Sequence, residues 1–201
     1  FFLKVTKFIG LYKNLNWHAS SKIELKDIKN NIHYKNIKIK IASDIAINNS
    51  NLKLNFQKLK KHVKKNLKII FLSRISPMKN LDFLLNILKK VKSEINLSIY
   101  GPIEDKSYWK LCLELINKLP KNISVNYYGE VKQDSVLNKI SLHDVLILPS
   151  RGENYGHIII ESLISGTPII ISNNTKWKSE LDKSITVISL KEINKWVKKI
   201  E

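Results

Sequence analysis

The sequence predicts a doubly wound α/β domain built on a parallel sheet, and three observations carry that expectation. Short, largely apolar runs recur at residues 67–72, 96–100, 123–128, 145–148, 169–171 and 185–190. Between them lie stretches with leucine and isoleucine at helical spacing. Turn residues such as Gly101-Pro102, Pro149-Ser150-Arg151-Gly152 and Gly166-Thr167-Pro168 separate the two kinds of segment. Strand and helix alternate from Ile37 onward, which calls for right-handed crossovers with helices on both faces of the sheet, a Rossmann-like arrangement.

In chain order, residues 1–16 place Phe2, Val5, Phe8, Ile9 and Tyr12 at helix-like intervals and are expected to be helical. An amphipathic helix is expected over 22–31, with Ile23, Leu25 and Ile28 inward, Ser20 or Ser21 as its cap and Glu24 as the capping-box partner. Residues 37–41 alternate Ile and Lys, the pattern of a strand with one wet face. The polar, lysine-rich 48–66 reads as a loop with a weak helix. The strand over 67–72 leads through a loop into a helix from Leu81 to about Lys90, with Leu84, Leu85, Ile87 and Leu88 on its inner face. After the strand at 96–100, a helix over 108–119 is expected to turn Leu111, Leu115 and Ile116 to the core and to pack Cys112 in the same apolar stripe. The strand at 123–128 ends in Gly129-Glu130-Val131, and a helix over 133–142 follows.

Residues 144–172 read as strand, acidic loop, helix and strand. Val145 to Leu148 is apolar throughout, as in a strand buried on both faces. Asn154 can cap a helix that starts near Tyr155 or Gly156, and Gly166 with Pro168 ends it. Beyond this, a short helix at 177–181, a strand at 185–190 and a terminal helix at 191–200 complete the expected chain.

Composition narrows the function classes. The 201 residues hold one sizeable domain, or one domain and part of a second. No apolar run approaches the ~20 residues of a membrane span. Lys4 and Lys7 break any signal-peptide core after Phe1-Phe2-Leu3, and the missing initiator methionine points to a fragment of something longer. The single Cys112 excludes an internal disulfide and a cysteine metal cluster, in keeping with a reducing cytoplasm. A formal charge of +18 suggests nucleic acid or an anionic surface. Yet Arg74 and Arg151 are the only arginines, and the lysines are scattered rather than interleaved with aromatics. Nucleic acid is therefore not the expected partner, and peripheral contact with anionic lipid headgroups is the better reading of the charge.

Ligands of open α/β sheets bind at the carboxyl ends of the strands. At that position the chain offers Glu153, the backbone N–H groups of Asn154, Tyr155, Gly156 and His157, and Glu161 within the helix. A helix N-terminus suits a phosphate, and carboxylates accept sugar hydroxyls. Arg74 and Lys79 lie in the loop after the 67–72 strand, expected at the same sheet edge, where two cations would balance a diphosphate and stabilise it as it departs. This is nucleotide-sugar chemistry. A solvated basic loop is the alternative reading of Arg74 and Lys79.

Pro149-Ser150, Glu153, Gly156, Glu161 and Gly166-Thr167-Pro168 together resemble the signature of retaining glycosyltransferases of family 4, which have the GT-B fold. The resemblance is densest over residues 68–172. It implies that Glu153 lies against the donor hexose, Glu161 against the ribose hydroxyls, Arg74 and Lys79 against the phosphates, and Val131 near the base. The usual glycines before the Arg and after the Lys are Ser73 and Asn80 here, the usual Asn-Gly after the 37–41 strand is Ala42-Ser43-Asp44, and Glu180 lacks its customary preceding glycines, so it is left out of the site. His157 either lines the pocket or covers the helix start, and His18 is expected to be structural.

The resemblance implies a domain division into a remnant linker helix at 1–17 and a donor-binding domain at 18–201. It also implies a metal-independent enzyme with no cofactor beyond its nucleotide diphosphate sugar donor. The acceptor would be a glycan or lipid-linked molecule, held by an amino-terminal acceptor domain missing from this chain. The expected location is cytoplasmic, at most peripheral to the inner face of the membrane. The competing readings are an epimerase or phosphorylase of related fold and a non-catalytic nucleotide-sugar or membrane-binding module. An epimerase needs an acid/base set that the sequence does not offer, and no dinucleotide glycine fingerprint supports a dehydrogenase.

Overall fold

The computed structural model describes residues 10, 15–20, 22–31, 38–42, 66–153, 155–179 and 183–201. Most of the expected helix at 1–16, all of the loop expected over 48–66 but Asn66, the cap Ser21, Asn154, Glu180 and Ser43-Asp44 lie outside these residues. The chain divides into two compact units, Phe1–Asn48 and Asn49–Glu201. The expected boundary at residues 17 and 18 therefore falls inside the first unit.

The first unit pairs two short parallel strands, β1 (Asn16–Ala19) and β2 (Lys38–Ile41), joined through helix α1 (Lys22–Asn31). Asn16 and Trp17, expected to be linker helix, are strand residues instead, because they pair with Lys38 and Ile39. The amide and hydroxyl of Ser20 both donate to Glu24 Oε2, at 2.7 and 2.6 Å, so Glu24 reaches back to the residues before the helix as the expected capping-box partner does. Those two bonds hold the Glu24 carboxyl below its usual range. His18 Nε2 bonds the carbonyl of Ala42 at 2.7 Å, a structural role.

The second unit is one six-stranded, wholly parallel sheet. Its strands are β3 (Asn66–Leu72), β4 (Glu94–Tyr100), β5 (Ile123–Tyr127), β6 (Val145–Leu148), β7 (Ile169–Ser172) and β8 (Ile185–Ile188), in the spatial order β5-β4-β3-β6-β7-β8. The central strands are buried on both faces, so Ile69, Ile70, Phe71 and all of β6 show no polar alternation. Edge strand β5 does alternate, with Ile123 buried and Ser124 and Asn126 exposed. Helices α2 (Leu81–Leu88), α3 (Lys106–Ile116), α4 (Val136–Ser141, entered through a 3-10 turn at Gln133–Ser135), α5 (His157–Ile164) and α6 (Ile193–Ile200) connect and cover the strands. Trp196 of α6 is fully buried edge-on to Phe83 of α2, with ring centroids 5.6 Å apart. Truncating a buried tryptophan of this kind costs roughly 3–5 kcal/mol. Among the described residues no helix is long and apolar enough to cross a membrane.

Helix α3 corrects one expectation. Leu111 is 47% exposed, while Tyr108 and Cys112 are buried and Leu115 and Ile116 pack at the core margin. The face is set from outside the helix: Tyr108 Oη donates to Asp82 Oδ1 at 2.5 Å and accepts from the Asp82 amide at 3.0 Å, pinning α3 to the start of α2. Burial pushes the Cys112 thiol up to about 12, as befits a packed apolar group. Trp177 and Lys178, expected to open a helix, are irregular because Trp177 is tied to the neighbouring loop, as described below.

The carboxyl ends of β3, β4 and β5 are drawn tightly together. Ser73 N donates to Tyr100 O at 3.0 Å, Ile75 N to Pro102 O at 2.8 Å, and Gly101 N to Gly129 O at 2.8 Å. At Gly101 the approach leaves no room for a side chain: φ is +131°, and a Cβ would lie 1.9 Å from the Ser73 carbonyl oxygen. Gly129 also has positive φ, +75°, but nothing stands within 4 Å of its would-be Cβ. We expect Gly129→Ala to cost only left-handed backbone strain, ~1–2 kcal/mol. Gly101→Ala should exceed that by at least ~2 kcal/mol, because backbone rather than a flexible side chain must yield. Urea unfolding of the two variants checks the order, and equal midpoints would show that the clash is relieved elsewhere.

Candidate functional site

Strand order reverses between β3 and β6, neighbours in space although the paired Ile69 and Val145 are 76 residues apart along the chain. The connections leaving these strands depart in opposite directions across the sheet, so a crevice opens above their carboxyl ends. The loop after β3 carries Arg74 and Lys79, and the loop after β6 carries Glu153. All three thus stand at one sheet edge.

The two cations differ in what they meet. Lys79 Nζ lies 2.6 Å from Glu153 Oε2, and their side chains are only 13% and 14% exposed. Arg74 turns away to Glu104 in the loop after β4, at 2.5 Å, and that pair is 58% and 45% exposed. A pair so solvated holds its partners by about 0–1 kcal/mol. Arg74 is therefore free to swing at little cost, whereas Lys79 is committed to a partner.

Asn80 fixes the Lys79 backbone. It is the one non-glycine with positive φ among the described residues, at +63° and ψ 39°, and it is buried. Asparagine tolerates the left-handed region better than other side chains. Glycine would tolerate it more easily still, but glycine could not make the two bonds seen here. Asn80 Nδ2 donates to the Pro149 carbonyl at 2.9 Å, and Asn80 Oδ1 accepts from Arg151 Nε at 3.0 Å. Arg151 N in turn donates to Met78 O at 2.8 Å, and its guanidinium lies 3.8 Å from Asp82 Oδ2. The loops after β3 and β6 are therefore stapled together through Asn80 and Arg151, next in sequence to Lys79 and close to Glu153.

Helix α5 begins at His157, with Gly156 as N-cap at φ +74° and no side-chain cap. The first amides of a helix have no partner inside it. A Cβ on Gly156 would lie 3.2 Å from Glu153 Cγ and 2.7 Å from Ile159 Cδ1, so the glycine lets the Glu153 side chain lie across the helix start. The Glu153 backbone is held by Thr175, with which it forms a parallel bridge, and by Asn174 O, which accepts its amide at 3.3 Å. Trp177 Nε1 donates to Tyr155 O at 2.8 Å, and Lys176 Nζ sits 4.4 Å from the Tyr155 ring centroid. His157 is exposed, its ring 4.8 Å from that of Tyr155.

Glu161 lies just over one turn into α5, 6% exposed, where Gln133 Nε2 donates to its Oε1 at 2.7 Å. Val131 is half-buried in the segment leading to Gln133 and packs against the core. The geometry thus joins Lys79 directly to Glu153, gives Glu161 to Gln133, and leaves Arg74 on Glu104. Asn80, Arg151 and Gln133 were not singled out from sequence. A left-handed-tolerant residue after Lys79 and the rarity of arginine were available signals for the first two, while nothing local marks Gln133.

Comparison with known proteins adds a family match. The model of the family described as glycosyl transferases group 1 matches residues 53–200. A Klebsiella pneumoniae protein described as an uncharacterized 41.2 kDa protein in the cps region is 26% identical over 137 residues, 67% of this chain and 36% of that protein. The structure of Anabaena Alr3699/HepE in complex with UDP and glucose aligns with a TM-score of 0.72 at 16% identity, over 98% of this chain and 56% of that one. WaaG, a glycosyltransferase involved in lipopolysaccharide biosynthesis, aligns with a TM-score of 0.67 at 14% identity, over 91% and 52%. At such identities the likeness shows the fold, that of the Rossmann-like domains of GT-B glycosyltransferases. The chain spans between about a third and just over half the length of these relatives.

The staple makes an ordering of variants testable by chemical denaturation. Asn80→Gly keeps the backbone conformation and loses the two side-chain bonds, so it should cost ~1–3 kcal/mol, the range for orphaning the buried Pro149 carbonyl. Asn80→Ala loses the same bonds and adds left-handed strain, for a further ~1 kcal/mol. An alanine variant as stable as the glycine variant would show that the left-handed conformation is not enforced.

Proposed function

Because the chain belongs to the glycosyl transferases group 1 family, we propose that it is the donor-binding half of a retaining, family 4 glycosyltransferase. In this reading the enzyme moves a hexosyl group from a nucleotide diphosphate to an acceptor hydroxyl. The observation that carries the reading is the meeting of Lys79 and Glu153 at 2.6 Å, beside the open amides of α5, at the point where strand order reverses. A cation, an acid and a helix N-terminus in one crevice offer a partner for each end of a sugar diphosphate.

The roles follow from reach and charge. Lys79, and Arg74 once it leaves its exposed partner Glu104, take the diphosphate, assisted by the amides of Asn154, Tyr155, Gly156 and His157. Glu153 accepts hydroxyls of the hexose. Glu161, a buried acceptor already holding a side-chain donor, takes ribose hydroxyls in place of Gln133. Val131 lies beside the base. When the bond from the hexose to the diphosphate breaks, the electron pair stays on the departing oxygen, and the two cations stabilise that added charge. The reading gives this work to side chains and helix amides, without a metal or other cofactor.

The UDP and glucose of the HepE complex, and the cps-region setting of the Klebsiella relative, support a uridine donor and a polysaccharide product. The acceptor, a glycan or lipid-linked molecule, belongs to a second half beyond these 201 residues. The reading places the protein in the cytoplasm, with its lysines available for peripheral contact with anionic headgroups.

Isothermal titration with UDP and GDP tests the reading. One of the two should bind, and Lys79→Ala should weaken it at least about tenfold, the loss of one charge-assisted phosphate contact. Arg74→Ala should weaken it in the same direction. Binding that ignores both substitutions, or no binding of either nucleotide, would count against the proposal.

A further inference from the structure

The Lys79–Glu153 contact poses a problem for any diphosphate, and the problem has a use. We infer that this ion pair makes the site select sugar-bearing nucleotides over the bare nucleoside diphosphate, with Glu153 as the selectivity-determining residue. The inference rests on the donor-site reading above and goes beyond it, to how substrate is told from product.

Both side chains are about seven-eighths shielded from water. A charge held in such a place and stripped of its partner is strongly disfavoured, because water cannot replace what it lost. Lys79 must therefore keep an anion at hand, either the Glu153 carboxylate or a phosphate. Glu153 likewise needs a donor, either Lys79 or a hydroxyl. Its backbone is fixed by the Thr175 bridge and the Asn174 bond, and the Lys79 backbone by the Asn80 staple. Only the two side chains are left to exchange partners.

A bare diphosphate satisfies one side of this exchange. It takes Lys79, leaves Glu153 without a donor and adds an anion beside it. A nucleotide sugar satisfies both sides, since its phosphates take Lys79 while its hexose hydroxyls donate to Glu153. After transfer the hexose is gone, Glu153 is again without a donor, and re-forming the ion pair displaces the diphosphate. The contact with Glu104 cannot act in this way, because both of its members are solvated and neither suffers when separated.

The test measures binding of UDP, GDP, UDP-glucose and GDP-mannose to the whole chain at fixed ionic strength. The proteins are the parent, Glu153→Gln, Glu153→Ala, Lys79→Met and the Lys79→Met/Glu153→Gln double variant, with melting temperatures confirming folding. Removing the carboxylate should tighten the bare diphosphate about three- to tenfold, a change on the scale of one shielded charge contact. The same change should shrink the advantage of the sugar nucleotide over it. The gain from Glu153→Gln should be clearly smaller in the Lys79→Met background, where no ion pair competes with the diphosphate and only direct repulsion remains. If the diphosphate binds the parent but Glu153→Gln and Glu153→Ala hold it no tighter, the selectivity inference is overturned and the donor site stands. A gain that survives undiminished in the double variant also overturns it, because the effect then bypasses Lys79. If none of the four ligands binds the parent, the donor-site reading fails and carries the inference with it.

Discussion

Everything at the candidate site depends on two parallel strands from distant parts of the chain lying side by side. β3 pairs with β6 through Ile69↔Val145 and Ile70↔Leu146, and the wholly parallel order sends both carboxyl ends to one edge. Had β6 run antiparallel, Glu153 would leave at the far edge, about a strand length from Lys79. Ile69, Ile70, Leu146 and Ile147 are fully buried, and the register is pinned at its start by Asp144, whose amide donates to Lys68 O and whose Oδ2 accepts from Lys68 N, both at 2.9 Å. Hydrophobic burial and this pin thus set the meeting of two polar groups that contribute little to the core themselves.

On that frame the chain distributes its polar contacts unevenly. Exposed pairs such as Arg74–Glu104 and Lys195–Glu192 hold little energy and can be exchanged freely. Less exposed contacts join the two loops, at Asn80–Pro149, Asn80–Arg151 and Lys79–Glu153. The first two fix backbone, while the third joins side chains that a ligand can separate. Rigid loops with exchangeable tips are what a site needs if it is to bind without reorganising its scaffold.

Much of this was legible from residues alone. The uninterrupted apolar runs at β6 and β7, the turn chemistry at Gly166-Thr167-Pro168, and the spacing of Glu153 and Glu161 led to the sheet and the acidic loop. What escaped was decided by distant contacts. Leu111 looked like a core residue by spacing, but the bond from Tyr108 to Asp82 chose the face of α3. Arg74 and Lys79 looked equivalent, and their distant partners separate them, an exposed Glu104 beyond β4 for the one and a shielded Glu153 beyond β6 for the other. Gln133 carries no local mark at all, because its partner Glu161 lies 28 residues away. The strand at Asn16 was hidden for the same reason, since a period-3.6 pattern before it says nothing of a partner at Lys38.

The most direct test of the account is an experimental structure of the chain with the nucleoside diphosphate it binds. The account predicts the diphosphate above the carboxyl ends of β3 and β6, with Lys79 Nζ moved from Glu153 to within about 3 Å of a phosphate oxygen and the ribose hydroxyls on Glu161. A nucleotide seated at any other edge of the sheet, or one in the crevice with Lys79 still on Glu153, would contradict it.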